Sequence, residues 1–269
     1  MTLKQIDSSQ ALQQAKIEGQ DLTQFDLQAV VLDSIDLSGA NLAGVNAIAT
    51  SLAGANLSAA NLQGADLRGV NLQGANLCQA NLQDALLFRA QLQGAMLTEA
   101  QLDTAKLTLS YYDSHTTWPQ GFDYRKSGAI GPRANLGGVF LNTAKLINAD
   151  LQGANLRGAY LSGADLTGAN LKDAALSGAD LTKACLMGAY LRNARLTGTT
   201  LRETDFRAAD LTDANLEQLE SIAGADFSHA QGLNAETRAM LCSFSKEELG
   251  TWNAFTRNHT GATLGCPVG

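Results

Sequence analysis

The chain is short of the residues that usually carry chemistry or build a conventional core. Charged residues make up 17% and aromatics 6%, and there are three histidines, three prolines and four cysteines in 269 residues. No apolar run approaches the twenty or so residues of a membrane-spanning helix. No segment is basic enough for an electrostatic nucleic-acid footprint. The net charge of −7 is uneven: −5 over residues 1–111, +1 over 112–135, zero over 136–216 and −3 over 217–269. Direct nucleic-acid binding is therefore not expected. No CxxC pair or His/Cys cluster offers a metal site, and no Gly-rich loop precedes a long helix to cradle a phosphate. His115, His229 and His259 stand outside any nucleophile or ligand motif. No catalytic residue, metal or cofactor is expected, and the chain reads as a non-enzyme. The start Met1-Thr2-Leu3-Lys4 lacks a signal-peptide stretch, which points to the cytoplasm. If a leader has been removed, the thylakoid lumen or periplasm is the alternative.

What is abundant is a leucine every five residues. Central positions run from Ile17 to Leu107 and again from Leu136 to Leu216; 33 of the 36 are Leu, the others being Ile17, Ala47 and Phe206. Two places before each centre sits a small residue, Ala at 14 of 17 positions in the second run. The residue just before the centre is usually Asn, Asp or Gln, and the one two after it is often Gly. Five is neither the period of a helix nor that of a strand. A large and a tiny apolar residue two apart can both face a narrow axis, while the other three face water and turn the chain. Such a chain satisfies its backbone only by stacking coils on one another.

Stretches such as Ala65-Asp66-Leu67-Arg68-Gly69 and Ala164-Asp165-Leu166-Thr167-Gly168 resemble the pentapeptide-repeat family, A(D/N)LxG in simplest form. The resemblance covers about three quarters of the chain. It implies an all-β solenoid, a right-handed quadrilateral parallel β-helix with four repeats, or twenty residues, per coil. The core would be a ladder of Leu beside a ladder of Ala, too narrow for a ligand.

Departures from the period divide the chain. Residues 1–16 read as an N-terminal cap with a helix after Ser8, or else Leu12 already belongs to an irregular repeat. Residues 17–111 are the first run, 112–135 an inserted aromatic loop, and 136–216 the second run. Residues 217–269 read as a helical cap whose apolar side chains, Trp252 and Phe255 among them, close the core. The loop holds Trp118-Pro119-Gln120-Gly121-Phe122, a turn between apolar anchors. The loop and the ending Leu241-Cys242…Thr263-Leu264-Gly265-Cys266-Pro267 resemble those of cyanobacterial and plastid members. Lumenal plant relatives with such a tail have a bridge between the two cysteines, which makes Cys242–Cys266 a candidate disulfide. Two reduced thiols in a cytosolic protein is the other reading. Cys78 and Cys185 flank central leucines and should face outward.

Outward aromatics are the main functional signal. Phe140 and Tyr160 precede central leucines twenty apart, so they should stack on one face. Tyr190 lies on another face with Lys172 and Arg192. With Trp118 and Phe122, these residues form a candidate protein interface, unless the loop folds over Phe140 and covers it. Two functions follow: a rigid scaffold for an unknown protein partner, from a cyanobacterium, or a DNA-mimicking gyrase binder of the quinolone-resistance type. The chain is expected to be a monomer or an end-to-end dimer.

Overall fold

A computed structural model describes residues 4–6 and 8–266; Met1–Leu3, Asp7 and Pro267 of the tail motif lie outside it. The chain divides into two compact units, Met1–Gly131 and Pro132–Gly269.

In the first unit, β1 (Lys4–Gln5) precedes α1 (Ser9–Ile17), whose first turn is capped by the Ser8 hydroxyl accepting from the Ala11 N–H. Leu12 and Ala15 are buried in α1, while Ile17 is 71% exposed. This corrects the phase reading of Ile17 as a repeat centre. Five residues rotate a helix by about 140°, so when Leu12 points inward Ile17 cannot. β1 pairs in parallel with β2 (Phe25–Asp26), and coil-to-coil pairing runs from there.

Each five-residue step is a hydrogen-bonded turn. The carbonyl of Leu57 accepts from the Ala60 N–H at 3.1 Å, and Ala59 between them has φ 54°. Positive φ at the third residue alone is the type II arrangement, which is why Gly recurs there, as at Gly64 with φ 64°. Because a turn interrupts the chain so often, the coils are joined by single-residue parallel bridges rather than long strands. The bridges link residues twenty apart, as in Asn41 to Asn61, Asn61 to Asn81 and Asn81 to Gln101. Four turns therefore complete a coil. The polar residue before each Leu has a double task. Asn61 Oδ1 accepts from the Gln63 N–H at 3.2 Å, and its Nδ2 donates to Asn41 Oδ1 one coil earlier at 3.0 Å. Inside, the Leu and Ala ladders are dry: Leu57, Leu62, Ala60 and Ala65 are essentially inaccessible.

The coil persists further into 112–135 than the period suggests. Thr117 bridges Met96 and Ile130 bridges Tyr111. Tyr112 occupies a central position and is buried. The excursion is the stretch 118–127. Gly131 leaves the space that the Tyr112 ring fills: a Cβ there would lie 2.6 Å from the ring.

In the second unit the twenty-residue pairing runs from Asn135 to Asn215 and then lengthens by one: Thr200 to Ser221, Asp205 to Asp226 and Asp210 to Gln231. Residues 217–231 thus form a further coil, which corrects the reading of a cap beginning at 217. The core ladder there becomes aromatic, with Phe206 and Phe227 stacked at 5.3 Å. The cap proper comprises α2 (Ala235–Leu241), α3 (Lys246–Leu249), the antiparallel pair β3 (Trp252–Asn253) and β4 (Asn258–His259), and α4 (Thr260–Leu264). It meets the unpaired edge of the last coil largely with side chains. Glu248 Oε2 accepts from the Ile222 N–H (2.8 Å), and Thr263 Oγ1 from the Phe227 N–H (3.1 Å). Asn253 Nδ2 donates to the Gly224 carbonyl at 2.7 Å, and the Thr260 hydroxyl to that of Ile222 at 3.2 Å. Leu241 and Leu264 are buried, but Trp252 and Phe255 are exposed; they do not close the core, because the edge needed hydrogen-bonding groups rather than rings.

Candidate interaction surface

Phe140 and Tyr160 are a bridged pair in the second unit, so the backbone holds their Cα atoms one coil apart. Their rings stack at 4.6 Å with an interplanar angle of 7°, and they remain 72% and 45% exposed. Below them in the same column come Asp180, Thr200 and Ser221. A planar apolar step thus stands on a polar face.

Tyr190 is 56% exposed and lies on a different column, between Asn170 and Asp210. Arg192 Nε donates to Asp210 Oδ2 at 2.5 Å. Burial pushes the Asp210 carboxyl up, but the Thr212 hydroxyl, the Arg192 side chain and the Thr212 N–H together hold it below the usual carboxylate range. Asp205 is paired likewise: Arg207 Nη2 lies 2.7 Å and Nε 2.9 Å from its oxygens. The same Arg207 guanidinium sits 6.0 Å from the ring of Phe255, which sequence reasoning had placed inside. Arg207 is in register with Met187 and Ile147, both exposed, a column that the period of twenty would have revealed.

Trp118 and Phe122 are half-buried in a cluster of rings. Trp118 is stacked between Phe122 at 5.6 Å and Tyr124 at 5.5 Å, and Tyr112 meets its edge at 5.4 Å. The loop rings thus pack around Tyr112 and Trp118, within the first unit.

Cys242 and Cys266 are bonded, with Cα atoms 5.4 Å apart, fastening α4 and the tail to the end of α2. Cys78 and Cys185 are free and half-buried. Cys185 Sγ lies 3.2 Å from the Thr167 hydroxyl. Among the described residues no three His, Cys, Asp or Glu side chains are placed to hold a metal ion. No described helix is long and apolar enough to cross a membrane.

A search of curated proteins returned no significant match. Among solved structures, the pentapeptide repeat protein Rfr23 from the cyanobacterium Cyanothece 51142 is 40% identical, over 35% of this chain, with a TM-score of 0.34. The chain spans 63% of that protein's length. A pentapeptide repeat protein of the Arabidopsis thaliana thylakoid lumen is 31% identical over 50% of this chain and 89% of its own, with a TM-score of 0.38. QnrB1, a plasmid-mediated fluoroquinolone resistance protein, is 20% identical over 78% of this chain and 97% of its own, with a TM-score of 0.41. The family model for pentapeptide repeats matches in 8 copies, over residues 35–74, 71–108, 133–163, 144–182, 154–193 and 184–218. These matches take in more than half of the sequence, and the chain belongs to the pentapeptide-repeat family.

Proposed function

We propose that the protein is a non-enzymatic scaffold, a right-handed quadrilateral β-helix that binds a protein partner through the Phe140–Tyr160 step. The observation that carries this reading is the exposure of two large rings in a fixed, stacked pose. Stacking them together reduces the apolar area each presents to water, yet most of Phe140 remains bare. Aromatic anchors that need no reordering lose little side-chain entropy on binding. Tyr190 and Arg192 lie half a coil away, on the opposite face, and would form a separate contact.

The test is capture from a cyanobacterial extract with the wild-type protein and with Phe140→Ala/Tyr160→Ala. A specific partner should be retained only by the wild type, with both forms melting within a few degrees of each other. Equal capture by both would remove the step from the reading. The gyrase-binding alternative requires an unbroken column of carboxylates at phosphate-like spacing. The column from Asp26 continues with Asn46, Asp66, Leu86 and Lys106, and Asp66 is already engaged by Arg68 at 2.7 Å. No inhibition of gyrase supercoiling is expected at micromolar protein. The Cys242–Cys266 bond favours an oxidising compartment, the lumen or periplasm, over the cytoplasm. Thiol counting on the native protein under denaturing conditions tests this: two labelled thiols are expected, and four would return the protein to a reducing compartment.

A further inference from the structure

The cap answers the edge of the last coil over residues 222–227, but it leaves one side open. Around Asp213–Gln218 the ladder has no successor. The N–H groups of Asp213, Leu216 and Gln218 and the carbonyl of Ala214 have no backbone partner among the described residues. One coil earlier, the counterparts of Asp213, Leu216 and Ala214 are used: Asn193 N–H donates to Thr212 O at 3.0 Å, Leu196 N–H donates to Asn215 O, and Ala194 O accepts from Asn215 N–H, the last two at 2.8 Å. The helix α2 passes beside this edge without pairing with it. Between them lies an open groove of ≈ 440 Å³, walled on the far side by Glu236, Thr237 and Met240. Three carboxylates, Asp213, Glu217 and Glu236, line it, and no Lys or Arg does; all three residues are exposed.

We propose that this groove takes an extended, Lys- or Arg-bearing segment of a partner protein, added as one more rung to the open edge. The two kinds of group present select the ligand between them. Backbone N–H donors beside a carbonyl acceptor match another backbone in extended form, the rule of strand addition. Carboxylates on both walls exclude an anionic segment and favour cationic side chains. A bare cation is met by the carboxylates but opposed by the N–H groups. A second copy of this edge would set acid against acid. The surface does not depend on the Phe140–Tyr160 step.

The probe is a fluorescein-labelled peptide, Lys-Val-Lys-Val-Lys-Val, titrated with the full chain at low salt and followed by anisotropy. Saturable binding is expected, at least tenfold weaker for Glu217→Gln/Glu236→Gln. That variant changes only exposed side chains, and its melting curve checks its fold. The same peptide with alternate residues N-methylated should not bind, because the rung needs its N–H. Hydrogen exchange at Asp213 and Leu216 should slow when the unmodified peptide is present. Absence of saturable binding overturns the proposal. Equal binding of the N-methylated peptide, which would mark plain charge attraction, or an unchanged affinity in the double variant does so too. Phe140→Ala/Tyr160→Ala should leave the affinity unaltered, so failure here and failure of the scaffold reading remain distinguishable.

Discussion

The two places where the five-residue period fails solve the same problem by opposite means. A coil that stops leaves unpaired backbone and a bare Leu ladder. At 118–127 the chain answers with rings: Trp118, Phe122 and Tyr124 gather on Tyr112, which takes the space Gly131 leaves. After Gln231 it answers with polar side chains supplied one by one, Glu248, Asn253, Thr260 and Thr263, and a covalent tie. The first closure is non-directional and rests on area; the second is directional and rests on position. Mutational losses should therefore be graded by size at the first break and by hydrogen-bonding capacity at the second.

The largest expected loss is at the aromatic break. Trp118→Ala removes three ring contacts and should cost about 3–4 kcal/mol in denaturant unfolding. A cost below about 1 kcal/mol would show that the cluster is ornamental. Next comes the tie: Cys242→Ser/Cys266→Ser opens a loop of 24 residues and should cost about 3 kcal/mol, with hydrogen exchange rising first in 260–266. Acid comes third. Burial would raise the Asp226 carboxyl, but the Ser228 hydroxyl and N–H, with Asn258, outweigh it and hold the pKa below that of the unfolded chain. Its contribution is whole above the usual carboxylate range and is lost as pH falls through the folded value. The melting temperature should therefore hold from pH 8 to 5 and drop below about pH 4, less steeply in Asp226→Asn.

Two gains are smaller. Ser110 stands where the repeat wants Ala, buried and with no hydrogen-bond partner for its hydroxyl. Thr204, in the equivalent position, donates to the Leu181 carbonyl at 2.8 Å. Ser110→Ala should gain about 1 kcal/mol, whereas Thr204→Ala should lose stability. Thr143 holds φ 56° with a branched side chain, so Thr143→Gly should gain about 0.5–1 kcal/mol in the same assay.

Much of this was legible because the repeat makes each residue's role a matter of counting. The stack of Phe140 on Tyr160 follows from a separation of twenty, and the buried ladders from the Leu and Ala spacing. What escaped was local competition with that count. Ile17 keeps the phase of five but obeys the helix that begins at Ser9. The coil at 217–231 was hidden by one added residue, which moves Ser221, Asp226 and Gln231 off the expected positions without changing their pairing. Trp252 and Phe255 look like core from composition, yet the coil edge beneath them called for donors and acceptors. The open edge at Asp213–Gln218 has no sequence signal, since it exists only through what fails to follow it.

The pairing of residues twenty apart also fixes what a deletion would do. Removing five residues between Leu161 and Leu186 would keep every Leu inside yet turn all later outward columns by a quarter. Tyr190 would move into the column of Lys145 and Asp165. Removing ten would bring it in line under Phe140 and Tyr160, and removing twenty would restore the original faces on a shorter solenoid. In such a chain, repeat number is a dial that sets which side chains look in the same direction.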